Sequence, residues 1–286
     1  MQQVVLKAAA GDIAPLMQIA LRSGIAAVLV GILMAWRRER IALSDGTLGP
    51  GLVAGLLFAL EFLLVGEGLR HTSASHMVVF LYTAPIFVAL GLHFKLPAER
   101  LSALQWFGIA LAFAGIVVTF IGREHQAAAT EPANVLLGDL LALLSGIAWG
   151  ATTVVVRTTR LSHAPATQTL LYQLVIGFIL LIIAAAALGQ TGIRTTPLAI
   201  GSLFFQSVIV SFASYLVWFW LLRRYLASRL GVFSFMTPLF GVAFGIWLLA
   251  EPMETSFLAG ALLVISGVLI VSGYGWLKPL IARPRS

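Results

Sequence analysis

The sequence contains no cysteine, and only 10% of its residues are charged, with 11 acidic side chains in 286 positions. Without cysteine there can be no disulfide staples, thiolate metal sites or cysteine nucleophiles. The shortage of charge excludes more. Soluble domains carry about 25% charged residues. A chain this long, 60% hydrophobic and with a mean hydropathy of +0.99, has too little polar surface to cover itself in water. Its apolar surface must face lipid, where Leu and Val need no shielding. The net charge of +7 suggests nucleic acid at first sight. That reading fails because nearly all the basic residues lie in short loops between apolar runs. HExxH, GxSxG and paired histidines at ligand spacing are all missing, so an enzyme, a metal and a cofactor are not expected. There is no visible signal peptide and no linker long enough to separate soluble domains.

What is present is a series of apolar runs, each near the length that crosses a hydrocarbon core about 30 Å thick. They run from Pro15 to Trp36, Thr47 to Arg70, Ser75 to Leu96, Ala103 to Ile121, Leu136 to Val156, Ala166 to Leu188, Leu198 to Leu222, Leu226 to Ala250 and Phe257 to Trp276. Before them stands a stub, Met1 to Ala10, too short to cross alone.

The two halves repeat. Val4, Val5, Pro15, Gln18 and Leu21 recur as Val154, Val155, Pro165, Gln168 and Leu171. Ala74, Ser75, Val79, Phe80 and Pro85 recur as Ala227, Ser228, Val232, Phe233 and Pro238, and Glu99, Gly108 and Gly115 as Glu251, Gly260 and Gly267. Offsets that drift by a few residues over a half are what a duplicated bundle with loop insertions leaves behind. In this register the first half of the Leu136 to Val156 span has no upstream partner, so the stub is expected to be the remainder of an incomplete first helix, through a misplaced start or a shortened chain. The expected fold is an all-α membrane protein of two inverted five-helix repeats, 1–122 and 136–278, with nine full spans and an incomplete first helix. Five is odd, so the second half enters from the opposite side. With the N-terminus inside, Arg37, Arg38, Arg40, Lys95, Arg100, Arg157, Arg160, Arg223 and Arg224 all fall on the cytoplasmic face, and only Arg70, Arg123 and Arg194 outside. Both termini are expected in the cytoplasm, with the chain in the inner (plasma) membrane.

Several motifs then carry a resemblance along the whole chain. They are Ala148-Trp149-Gly150 followed by Arg157, Ser73-Ala74-Ser75 leading to Ala84-Pro85, and Glu99-Arg100 before a Gly-rich helix ending Ala114-Gly115-Ile116-Val117. The second half repeats them as Thr237-Pro238, Ala250-Glu251-Pro252 and Ser266-Gly267-Val268. The sequence resembles the drug/metabolite transporter superfamily, in particular its EamA-type bacterial members. The resemblance implies efflux of metabolites, amino acids or drugs, driven by the proton gradient, from a central cavity between the repeats. It also implies a dimer surface on the helices holding Gly108 and Gly260, with a monomer equally compatible.

The residues themselves point to the same kind of site. Glu61 stands fourteen residues into an apolar span, and ionisable groups at that depth face the bundle interior and mark proton or substrate paths. Arg22 enters its span from the outer side and reaches a similar depth, where it is positioned to pair with Glu61. A structural ion pair that fixes helix register is the alternative reading. Trp149, Tyr215 and Trp218 are candidate solute contacts, since a ring facing the cavity can stack on an aromatic or cationic solute. Aromatic belts at the membrane interface are the competing explanation. Gln18, Gln168, His76 and Lys7 are weaker candidates. Pro85 and Pro238 fall near the middle of related spans and are candidate hinges or static kinks. Gly51 with Gly55, and Gly241 with Gly245, keep the spacing that lets helices pack closely. An uncoupled channel or facilitator lacks an evident ring of charges or carbonyls. A phosphate-sugar exchanger of the same superfamily would place several cations in the cavity, where only Lys7 and Arg22 qualify, so an uncharged or zwitterionic small-molecule solute is favoured.

Overall fold

A computed structural model describes residues 1–39, 45–96, 100–121, 134–217, 236–251 and 254–281. The helices in chain order are α1 (Gln2–Ala8), α2 (Pro15–Trp36), α3 (Leu48–His71), α4 (Ala74–Leu81), α5 (Ala84–Lys95), α6 (Ala103–Ile121), α7 (Val135–Thr158), α8 (Ala166–Ala187), α9 (Pro197–Phe204), α10 (Met236–Leu249) and α11 (Thr255–Ile281). A short 3-10 turn, Arg160–Ser162, follows α7, and α9 runs on into a π-helical stretch, Phe205–Ser214. Among the described residues there is no strand, only an isolated bridge between Ile13 and Ile193. This is the economy that lipid imposes, because each helix satisfies its own backbone groups where no water can.

The distribution of side chains identifies the solvent. On α3, Leu52, Leu56 and Leu60 repeat every four residues on the outer surface and are 47%, 54% and 45% exposed, while Glu61 on the inner side is only 6% exposed. Arg22, Gln206 and Asp139 are buried as well. A particle with leucine outside and charge inside is built for hydrocarbon. Seven described helices, counting α4 with α5 as one crossing, are long and apolar enough to span a membrane, and Ala103–Thr119 and Thr237–Leu249 are shorter apolar helices. The protein is an all-α membrane protein.

The span from Ser75 to Leu96 is divided at Tyr82 and Thr83, and Pro85, the candidate hinge or kink, lies just after the break in the first turn of α5. Proline has no N–H for the Leu81 carbonyl and is tolerated where first-turn donors are unused anyway. The Thr83 hydroxyl takes up the Phe80 carbonyl at 2.6 Å. Gly146 on α7 makes room for the break, since a Cβ there would stand 2.9 Å from the Phe80 oxygen and 3.0 Å from the Leu81 oxygen. Pro238 likewise sits in the first described turn of α10.

The helices holding the Gly108 and Gly260 motifs pack against each other within one chain, α6 along α11. Gly108 meets the Gly267 carbonyl, with 2.9 Å to an added Cβ, and Gly115 meets the Gly260 carbonyl at 2.6 Å. Gly108 recurs in sequence as Gly260 and Gly115 as Gly267, so exchanging the halves converts one contact into the other. The same exchange relates α2 packed on the π-helical stretch to α8 packed on α3. On α3, Gly51 lies against Tyr172 and Gly55 against Ile176 of α8, so that glycine pair lies at a helix contact.

Candidate functional site

Arg22 lies about two turns into α2, entirely buried. Its Nη1 donates to Gln206 Oε1 at 2.9 Å, and its guanidinium lies 4.3 Å from the centre of the Phe62 ring. With its amide oxygen turned inward, Gln2 accepts from both Nη atoms, at 2.5 and 3.1 Å. Gln206 Nε2 completes the group by donating 2.7 Å to the Gln2 carbonyl. The Tyr215 side chain bears on the same guanidinium. Arg22 Nε has no hydrogen-bond partner among the described residues. A cation held out of water on neutral amides and a ring face, with one donor unspent, is costly to maintain. Intramembrane charges kept at such cost mark function by default.

Glu61 shares this interior and feels the charge of Arg22, but the two are not in contact. No described carboxylate comes within ion-pairing distance, 4.0 Å, of Arg22. The direct pair expected from their depths is therefore not formed, because rotation of α2 about its axis turns the guanidinium toward Gln206 on the π-helical stretch. A wider π turn shifts the face that its side chains present, and Gln206, Ser207 and Ser211 all point inward there.

The aromatic wall comes from the break between α4 and α5. Tyr82 sits at that break and meets Trp149 of α7 edge-on, with ring centres 5.2 Å apart and planes at 82°. The Tyr82 hydroxyl is turned to Thr237, beside Pro238. Phe62 stacks at a tilt on Phe58 one turn earlier in α3, 4.7 Å away. Arg22, Glu61, Trp149 and Tyr215 thus converge on one interior region. Trp218 lies outside the described residues.

The remaining candidates are engaged elsewhere. Gln18 donates to Ser202 of α9, and Gln168 donates to Thr47 ahead of α3 at 2.9 Å and to Tyr172 at 3.2 Å. These two repeat-related glutamines tie corresponding helix pairs. His76 Nδ1 stands 3.0 Å from Asp139 Oδ2 while its ring stacks on Phe257 at 3.8 Å, near the end of the bundle where α3 passes into α4. Thr72 also donates to Asp139, at 2.5 Å. Lys7 closes the C-terminal end of α3 by donating to the carbonyls of Leu69 and Thr72, the role that a cation suits there. Sequence reasoning missed Gln2, Gln206 and Tyr82. The available signals were two amides in otherwise apolar stretches and a tyrosine three residues before Pro85.

Comparison with known proteins agrees with this architecture. The family model described as "EamA-like transporter family" matches residues 2–121 and again 136–273. The Bacillus subtilis "Uncharacterized transporter YoaV" is 24% identical over 269 residues, covering 93% of this chain and 90% of that protein. YvbV of the same organism is 29% identical, covering 93% and 85%. A Salmonella typhimurium protein named "Probable amino-acid metabolite efflux pump" is 27% identical, covering 78% and 75%. A solved crystal structure, 16% identical and covering 94% of each chain, superposes with a TM-score of 0.64, which shows the shared fold. With both halves of the chain matched in turn, this membrane protein belongs to the EamA-like transporter family.

Proposed function

We propose that the protein is a secondary-active exporter of small organic metabolites, amino acids or drugs, coupled to the proton gradient through Glu61. The observation that carries this reading is the pair of buried ionisable groups, Glu61 and Arg22, that share one interior without touching. Glu61 can be neutral or charged, and the nearby cation makes the two forms differ in energy. A solute that enters between them alters that difference. Proton occupancy and solute occupancy then become linked, which is what coupling requires, because a ligand shifts an equilibrium only through differential affinity. Arg22 Nε suits an acidic or carbonyl group of the solute, and the Tyr82 and Trp149 faces suit its apolar or cationic part. The relative named as an amino-acid metabolite efflux pump supports this solute class.

Two inverted repeats, 1–122 and 136–278, would place this region near the midplane and let the halves rock about it. The exchange pattern of the α6 and α11 glycines supports that arrangement. Charge placement supports an inner (plasma) membrane location with both termini cytoplasmic.

The test is transport in proteoliposomes under an imposed pH gradient. Glu61→Gln keeps shape and hydrogen bonding but removes the charge change, so downhill exchange of solute persists and uphill transport is abolished. Full proton-driven accumulation by Glu61→Gln would remove Glu61 from the coupling step.

A further inference from the structure

The carboxylate of Glu251 crosses from the second half of the chain to the first. It accepts hydrogen bonds from the Ala74 amide at 2.6 Å, the Ser75 amide at 3.0 Å and the Ser75 hydroxyl at 2.5 Å. These are the leading donors of α4, whose first turn contains no acidic residue of its own. The next amide, that of His76, is taken by the Ser73 hydroxyl at 3.1 Å. Half of the first-turn donors of α4 therefore depend on a side chain 177 positions away. The backbone at the corner is bent to deliver it. Ala250 adopts φ +51°, a conformation that an alanine rarely takes, and the Glu251 amide bonds back to the Gly245 carbonyl at 3.3 Å. The α10 surface is pared down beneath the contact. A Cβ on Gly245 would collide with the Ser75 hydroxyl and stand 2.5 Å from Glu251 Oε2, and one on Gly241 would stand 2.7 Å from Val78.

The same face of α4 leads inward to the candidate site. Ser75, Val79 and Tyr82 follow one another at helical spacing, so they line one stripe. Ser75 is bound by Glu251. Val79 and Tyr82 line a small apolar cavity, completed by Pro238, Val264, Ile265 and Val268, with room for about one water. Tyr82 is the wall of the Arg22 and Glu61 region. The seam between α4 and α10 thus runs from the buried site to the bundle end, closed along its length by glycine-backed contact and at its mouth by one carboxylate.

We propose that this seam is the solute path to that face and that Glu251 is its latch. When the mouth is shut, the carboxylate satisfies the amides of α4 in a partly buried contact. When α4 parts from α10, water must replace it, since unsatisfied donors are not left in an apolar medium. The bond and an open path are therefore mutually exclusive. Glu251 acts as a positioning residue: it sets the balance between closed and open states without touching solute. The proposal rests on the transporter reading, and it takes this face as the outer one on the orientation proposed above.

The absence of cysteine makes the test direct. A single cysteine at Val79, buried in the closed seam, is reacted with a membrane-impermeant maleimide in intact cells and in inverted vesicles. A second reporter at Thr255, exposed at the start of α11, identifies the face. Glu251→Gln should raise the Val79→Cys labelling rate about tenfold from the face that labels Thr255→Cys, the scale expected when a charge-assisted contact is lost. Ser75→Ala, which removes one of the three bonds, should raise it less, and it serves as the test if Glu251→Gln fails to fold. A rate unchanged in both variants, with melting behaviour near that of the parent, overturns the latch. Enhanced labelling confined to the face opposite Thr255→Cys also overturns it. If both reporters respond from inverted vesicles instead of cells, the latch stands and the proposed orientation falls. Labelling needs neither solute nor pH gradient, so its outcome is separate from the role of Glu61.

Discussion

Replacing Gln206 with leucine removes the acceptor held 2.9 Å from Arg22 Nη1 in a fully buried setting. A hydrogen bond to a charged group contributes about 1.5–3 kcal/mol. Gln2 and Tyr215 still reach the guanidinium, while Arg22 Nε has no described partner. Gln206→Leu should therefore cost about 1.5–3 kcal/mol. Arg22→Met strips Gln206 and Gln2 of a donor and removes the cation from the Phe62 face. It also removes the desolvation penalty of a buried ion, several kcal/mol in real proteins, so its net cost should be about 1 kcal/mol or less. With the charge gone, the Gln206 oxygen matters less, and the double variant should be more stable than the sum of the singles implies by about 1.5–3 kcal/mol. The assay is equilibrium unfolding in mixed detergent micelles for the parent, both singles and the double. Additivity within about 0.5 kcal/mol would show that the two groups are not coupled and would refute the geometry. Transport decides the purpose: Arg22→Met should abolish solute movement while leaving the fold intact. An Arg22→Met protein that transports normally would reduce Arg22 to a structural remnant.

Gly115→Leu places a branched side chain where the Gly260 carbonyl allows only 2.6 Å to a Cβ, so α6 and α11 must part. A loss of about 3 kcal/mol or more in the same unfolding assay is expected; a neutral result would contradict the packing. At the loop end of α3, the Thr47 hydroxyl and then the Thr47 amide hold the Asp45 carboxyl below its ordinary value. A lowered folded pKa stabilises above the unfolded value, about 4, and that gain is lost as pH falls through the folded one. Asp45→Asn should therefore melt below the parent at neutral pH and converge with it in acid. A difference that stays constant with pH would show that the carboxylate charge is not what holds the turn.

Much of this molecule is legible from one dimension. Solvent is a summed property, so the charge shortage and the run lengths alone indicate a helical bundle in lipid, and the paired recurrences, such as Gly108 with Gly260, betray duplication before any helix is placed. Glu61 announces itself because a carboxylate in a run of Leu, Phe and Ala is anomalous whatever it touches. Partners are another matter. Arg22 finds Gln206, 184 positions away, and not Glu61, because the rotation of each helix about its own axis is decided by close packing and by a π turn that no propensity signals. Pro85 marks a possible break in its span, but that the missing side chain of Gly146 makes room on α7 for that break shows only in the fold. Glu251 reads as one acid in a loop corner, and only the crossing of α10 over α4 brings it to the Ser75 amide. Composition and periodicity act locally and survive in the string, whereas contacts between distant helices depend on the shape of every helix between them and exist only in the folded bundle.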